Sequence, residues 1–175
     1  MKLKHIHREL QIKATPERMW EVLSQYGDVS SFHSGVVESH AVTGSGNTAA
    51  EGCERVCNIV DMGMKIMLKE RIVNFVEGKS YQYEVYEWKN FPLRKMYFGF
   101  TISNRSATHA TLAIDIDYKA KPAILTPLMA GKMRSLADDV LIGYKHYTET
   151  GQKRVPIKQL KKQYKAMGEQ QVQYA

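Results

Sequence analysis

Cysteine is scarce in this chain: two residues in 175, at positions 53 and 57. Read as four apart along one strand, they lie about 13 Å from each other at ~3.3 Å per residue, too far for a disulfide. A pair of free thiols suits a reducing, cytoplasmic setting. Long apolar runs are missing as well, and no stretch approaches the roughly 20 residues of a membrane-spanning helix. Residues 1–10 lack an apolar h-region and are not expected to form a secretory signal. There is no internal repeat, no low-complexity segment and no nucleophile elbow of the kind Ser-His-Asp chemistry requires. Metal ligands are thin too. His5 and His7 lie two apart on one strand face, but no third ligand is evidently placed to join them, and solvated histidines are the better reading. No cofactor and no metal are expected.

What remains is an ordinary globular composition, 43% hydrophobic and 25% charged, which is enough to bury a core. The net charge of +7 is uneven. Lys153, Arg154, Lys158, Lys161, Lys162 and Lys165 face only Glu169 in the last stretch, so the tail carries most of the charge and the body is nearly neutral. A neutral body argues against nucleic acid as a partner of the folded domain. The expected organisation is one ligand-binding domain over 1–150 and a basic tail over 151–175 that opens a helix at Pro156. Ile157, Leu160, Tyr164 and Met167 would line one side of that helix. Such a segment suits weak contact with an anionic membrane surface through 153–167, packing on the parent domain, or fraying.

Along the chain, residues 4–13 alternate, with Ile6, Leu10 and Ile12 on one face, the pattern of a half-buried strand. Thr15-Pro16-Glu17 supplies an N-cap, a proline at the first helical position and an acid in the first turn. A short helix burying Met19, Trp20 and Leu23 follows, then a second short helix or turn over 26–32. Strands are expected at 36–43, 51–60, 65–73, 80–88, 94–104 and 108–119, joined by turns short enough for an antiparallel meander. The period changes over 123–149, where Met129, Met133, Leu136, Val140, Gly143 and Tyr147 recur at helical spacing. The fold class is therefore α+β: a curved antiparallel sheet of six or seven strands wrapped on one long C-terminal helix, with two short helices after the first strand. Where sheet and helix diverge, a gap is left for a ligand.

One hairpin gives the sharpest expectation. With Met62-Gly63 as turn residues, Ile59 faces Ile66, Cys57 faces Leu68 and Arg55 faces Glu70. A slip of one residue would set Arg55 against a cation. Since the apolar pairs mark the buried face, Arg55 and Glu70 are expected to point inward too. A buried pair of this kind either holds the sheet together or anchors a ligand.

The stretch Ala14-Thr15-Pro16-Glu17-Arg18-Met19-Trp20, then Tyr26-Gly27-Asp28-Val29 and Phe32-His33-Ser34-Gly35-Val36, resembles the opening of the SRPBCC, or START-like, superfamily. Gly52-x-x-Arg55 and Glu70-Arg71-Ile72 resemble two further elements of it. Within that superfamily the chain is most similar to the bacterial polyketide cyclase/dehydrase and lipid-transport branch. START domains, the birch pollen allergen and the plant abscisic-acid receptors share the same helix-grip fold. The resemblance spans residues 4 to about 149. It implies a cavity lined by Glu70, Ile59, Tyr83, Val85, Met96, Phe98 and Ile114. The receptors' ligand-carboxylate lysine falls on Glu38, which argues against an acidic ligand held in that way. Their gate corresponds to the very short turn at Met62-Gly63 and their latch to residues 89–93.

The candidate ligand-binding residues are thus Arg55, Cys57, Ile59, Ile66, Leu68, Glu70, Tyr83, Val85, Met96, Phe98 and Ile114 on the sheet, with Met129, Met133, Leu136 and Val140 on the helix. Tyr81, Trp88 and Tyr97 are further aromatics for a pliable pocket. The expected function is binding or transport of a hydrophobic small molecule, lipid or polyketide-like, by a monomer or homodimer. The alternative is a cyclase or dehydratase whose cavity walls fold a reactive chain and in which Glu70 or a tyrosine carries protons, a Glu38–Glu70 carboxylate pair being a further candidate.

Overall fold

The computed structural model describes residues 2–33, 35–61, 63–103 and 106–172, with side chains as far as residue 165. Seven strands form one antiparallel sheet: β1 (Lys4–Ile12), β2 (Val36–Ala41), β3 (Glu54–Asp61), β4 (Met64–Val76), β5 (Ser80–Lys89), β6 (Leu93–Ser103) and β7 (Ala110–Ala120). Their order across the sheet is β1-β7-β6-β5-β4-β3-β2. Consecutive strands from β2 to β7 are neighbours, as short turns require, and β1 closes onto β7 at the far edge.

Helix α1 (Pro16–Leu23) starts where the sequence says it should. Thr15 Oγ1 accepts from the backbone N–H of Arg18 at 3.2 Å, and Pro16 occupies the first turn, where no intrahelical N–H is needed. A 3₁₀ segment, Tyr26–Ser31, follows. The helical stretch expected over 123–149 is broken into α2 (Leu125–Leu128) and α3 (Ala130–Thr150). Pro127 sits in the first turn of α2, where its missing N–H costs no intrahelical bond, and the helical ladder is interrupted at the single residue Met129. Gly151, at φ 72°, ends α3 by donating its N–H to Tyr147 O. A fourth helix, α4 (Ile157–Val172), occupies the basic tail.

The hairpin register is the expected one: Arg55 opposite Glu70, Cys57 opposite Leu68 and Ile59 opposite Ile66. Of its two turn residues, Met62 lies outside the described residues. The remaining question is where α3 lies across the concave face. It is fastened to the β1 edge. Arg8 pairs with Asp138 at 3.1 Å, Lys145 Nζ donates to Gln11 O at 2.9 Å, and the Lys13 N–H donates to Glu149 at 2.7 Å. Beneath α3 the β1 and β7 side is filled by Ile12, Leu112, Ile114 and Ile116, all fully buried. On the β3–β6 side, helix and sheet draw apart.

Candidate functional site

That separation is a cavity of about 210 Å³, walled mainly by apolar side chains. Strand alternation builds one wall: Cys57 and Ile59 from β3, Ile66 and Leu68 from β4, Tyr83 from β5, and Met96, Phe98 and Phe100 from β6. Met133, Leu136, Val140 and Tyr144, at steps of three and four along α3, form the opposite wall. Phe32 and His33, from the loop after the 3₁₀ segment, close one side.

Arg55 and Glu70 lie at the cavity wall, each about 3% exposed. Arg55 Nε donates to Glu70 Oε2 at 2.5 Å, and Nη1 donates to the Tyr26 carbonyl at 2.9 Å. The guanidinium lies between two rings, 4.1 Å from the centroid of Tyr26 and 4.8 Å from that of Tyr83. Burial alone would lower its pKa, but the Glu70 carboxylate, with smaller help from Cys57 and the tyrosines, more than reverses this and holds it well above the ordinary value. Charge and stacking thus fix Arg55 in place. The Cys57 thiol, 3.7 Å from Glu70 Oε2, has its pKa raised, first by burial and then by that carboxylate, so it stays protonated. The Tyr83 hydroxyl is pushed up for the same two reasons. Both side chains are among the residues that line the cavity, so a guest there meets a carboxylate and a guanidinium already paired with each other.

His33 adds a second polar group. The Gly35 N–H donates to its Nδ1 at 3.0 Å, which leaves the neutral ring's proton on Nε2. Burial first, and Arg55 to a lesser degree, lower its pKa to about 4, so the ring is uncharged at neutral pH.

Twelve of the fifteen candidate residues line this cavity: Arg55, Cys57, Ile59, Ile66, Leu68, Glu70, Tyr83, Met96, Phe98, Met133, Leu136 and Val140. Three do not. Ile114 and Val85 point to the inner face as expected, but they are packed solid. Ile114 sits on the side that α3 fills, and Val85 opposite Glu70 and Met96. Met129 is at the junction between α2 and α3 and is half-buried outside the cavity lining. Tyr97 alternates with Met96 and Phe98 and so faces outward, against Lys95. Tyr81 is core, its hydroxyl given to Leu23 O at 3.2 Å, and Trp88 also lies outside the lining. Glu38 is exposed and bonded to Asn58 Nδ2, beyond reach of Glu70, because a register shift between Val36 and Glu38 turns it out. The Glu38–Glu70 carboxylate pair does not exist.

Among the described residues no group of three or more His, Cys, Asp or Glu is arranged to hold a metal ion. His5 and His7 pair instead with Asp117 and Asp115 across the β1–β7 ladder, at 2.9 and 2.8 Å.

Sequence reasoning missed Phe32, His33, Phe100 and Tyr144. It also missed that the tail contributes. Ile157 and Leu160 of α4 reach the cavity, and Leu160 is 2% exposed. Phe100 was findable by extending the 96–98 alternation one step further. The tail helix is held on α3 by Lys161 against Asp139 at 2.6 Å, and the segment before it by the Arg154 N–H on Ser31 O at 2.8 Å. Its apolar stripe at Ile157, Leu160 and Tyr164 is turned to the domain, and Met167 lies outside the described side chains.

A curved antiparallel sheet gripping a long helix over a mostly apolar cavity is the helix-grip architecture of START-like proteins. The sequence model for polyketide cyclase / dehydrase and lipid transport proteins matches residues 4–145, and the chain belongs to that family. No curated protein sequence matches it. Among solved structures, the chain is similar to the Zhui aromatase/cyclase from Streptomyces sp. R1128 (13% identity, TM-score 0.66, covering 85% of this chain and 98% of that one). It is also similar to ginseng major latex-like protein 151 from Panax ginseng (16%, 0.63, 89% and 100%) and to a START superfamily protein from Mycobacterium smegmatis (12%, 0.62, 78% and 94%). At such identities these likenesses establish the fold.

Proposed function

We propose that the protein binds a small, uncharged, predominantly hydrophobic molecule carrying one hydroxyl or carbonyl group. The observation that carries this is the Arg55–Glu70 pair: two buried charges that neutralise each other at the wall of a mostly apolar cavity, whose other lining charges are paired as well, Lys132 with Asp61 and Asp139 with Lys161. A guest with a net charge would find each of these wall charges already paired and would lose its hydration with little compensation. A neutral hydroxyl can donate to the Glu70 carboxylate or accept from the Arg55 guanidinium or the His33 ring without that cost. The volume, about 210 Å³, is below the roughly 300–1,000 Å³ of sites for drug-sized ligands. It favours a compact ring system or short chain over a whole phospholipid, with Met96 and Met133 able to adjust the fit. The free thiols at Cys53 and Cys57 support a reducing compartment such as the cytoplasm.

Cyclase or dehydratase chemistry is the weaker reading. Glu70 is engaged by Arg55, and Cys57 and Tyr83 hold their protons too tightly to serve as bases near neutral pH. Carrying over the aromatase activity of the Streptomyces neighbour would leave the task to His33, whose pKa, lowered to about 4, makes it a weak base.

Native mass spectrometry of protein purified from its host is expected to show a bound neutral apolar species. 2-Naphthol, a compact neutral fluorophore with one hydroxyl, is expected to brighten in its neutral-form emission in the cavity, and Leu136→Trp, which fills the space from α3, is expected to abolish that gain. No brightening with the parent protein, or equal brightening with the filled variant, overturns the proposal.

A further inference from the structure

Four of the six large exposed hydrophobic side chains gather at one end of the molecule: Val60 (49% exposed), Met64 (53%), Ile124 (71%) and Leu128 (73%). They belong to segments that contacts join into a closed ring. Asn90 Nδ2 donates to Lys65 O at 2.9 Å, tying the β5–β6 turn to the β3–β4 hairpin. The Lys121 N–H donates to Pro92 O at 3.0 Å, tying that turn to the end of β7. Thr126 of α2 accepts from the Tyr118 hydroxyl at 2.7 Å. Lys132, just inside α3, pairs with Asp61 and completes the circuit at the hairpin. Val60, Asp61, Phe91 and Lys132 of this ring also line the cavity, so the ring surrounds its mouth.

The ring is strongly basic. Lys65, Lys89, Arg94, Lys121 and Lys132 are exposed on its segments, and Asp61 is the only carboxylate among them. Exposed aliphatic side chains set among exposed lysines are poorly suited to water, yet complementary to an anionic bilayer. Each lysine is drawn to lipid phosphate, and each aliphatic group enters the boundary between headgroup and acyl chain. A second copy of the chain would set five cations against five. No helix among the described residues is long and apolar enough to cross a membrane, so contact of this kind lies on the surface.

We propose that the cavity-mouth ring, rather than the basic tail, docks the protein on membranes rich in anionic phospholipid, with the opening turned toward the bilayer. The docking stands apart from the identity of any guest. It is tested by flotation of the full-length chain with vesicles of phosphatidylglycerol and phosphatidylcholine in equal parts, against phosphatidylcholine alone. Binding is expected only to the anionic vesicles and is expected to fall steeply with added salt. Lys65→Glu and Lys121→Glu should each weaken it about fivefold or more, and Ile124→Ser with Leu128→Ser roughly tenfold. Lys158→Glu with Lys162→Glu, on the outer side of α4, should leave it near the parent level. Brominated phosphatidylglycerol should quench Trp88, beside Lys89, in a Trp20→Phe background, an arm that needs no change at the ring. Equal binding to both vesicle types, unchanged binding by the ring variants, or loss only with the tail variants overturns the proposal. A dimer in solution that Ile124→Ser with Leu128→Ser converts to monomer, with no vesicle binding, assigns the ring to a second copy and overturns it equally.

Discussion

Arg55 makes three kinds of contact at once: an ion pair with Glu70, a hydrogen bond to the Tyr26 carbonyl, and stacking between the Tyr26 and Tyr83 rings. Removing either charge alone strands the other in a dry wall, and breaking a buried pair that way costs about 3–5 kcal/mol. Replacing both by apolar groups of similar size removes the desolvation problem together with the attraction. Arg55→Met and Glu70→Leu are therefore each expected to lower stability by about that amount, while the double variant recovers most of it, as read by urea unfolding. Equal losses in the single and double variants would mean that Arg55 matters chiefly through its ring contacts. This pair was legible beforehand because a hairpin is a local object: turn length and charge complementarity fix the register with no knowledge of the rest of the fold. His33 was not legible. It stood in a recognisable motif, but its neutral state depends on being covered by elements far away in sequence.

Between elements, the decisive contact is α3 against the loop that follows the 3₁₀ segment. At Gly143 an added Cβ would lie 2.5 Å from the Phe32 carbonyl oxygen, so helix and loop backbone approach as closely as chemistry allows. Alanine normally favours a helix over glycine by about 1 kcal/mol. Here the clash outweighs that gain, and Gly143→Ala is expected to destabilise by roughly 1–3 kcal/mol and to shift the Phe32 side of the cavity, weakening 2-naphthol binding. Gly131→Ala, in the same helix with nothing within 4 Å, is the control and should be neutral or stabilising by up to about 1 kcal/mol. Thermal unfolding of the two variants separates these outcomes. Strand and helix positions follow from sequence periodicity. The one-residue break at Met129 was not readable in this way, because the apolar stripe runs through it unchanged.

For the molecule as a whole, acid stability reports on how tightly this end is closed. His33 has a pKa of about 4 when folded against an ordinary value of 6.5. Between those values the unfolded chain binds the extra proton and the folded one does not. The stabilisation is therefore complete above about pH 6.5 and is lost as pH falls toward 4, by an amount on the order of 3 kcal/mol. His33→Gln should flatten that part of the profile relative to the parent, and parallel profiles for the two proteins would show that the ring is already protonated in the fold. What the amino-acid order determined unaided is everything governed by short-range rules: the alternating strands, the capped first helix, the hairpin register, and hence which side chains turn inward. Tertiary structure alone decided which inward-facing side chains border empty space. Ile114 and Phe98 lie on the same inner face, yet α3 is fastened to the β1 edge, so one is buried in solid packing and the other lines a cavity that the tail helix helps to close. That choice depends on where a helix comes to rest across a sheet, which is set by the sum of many distant contacts and by no local pattern.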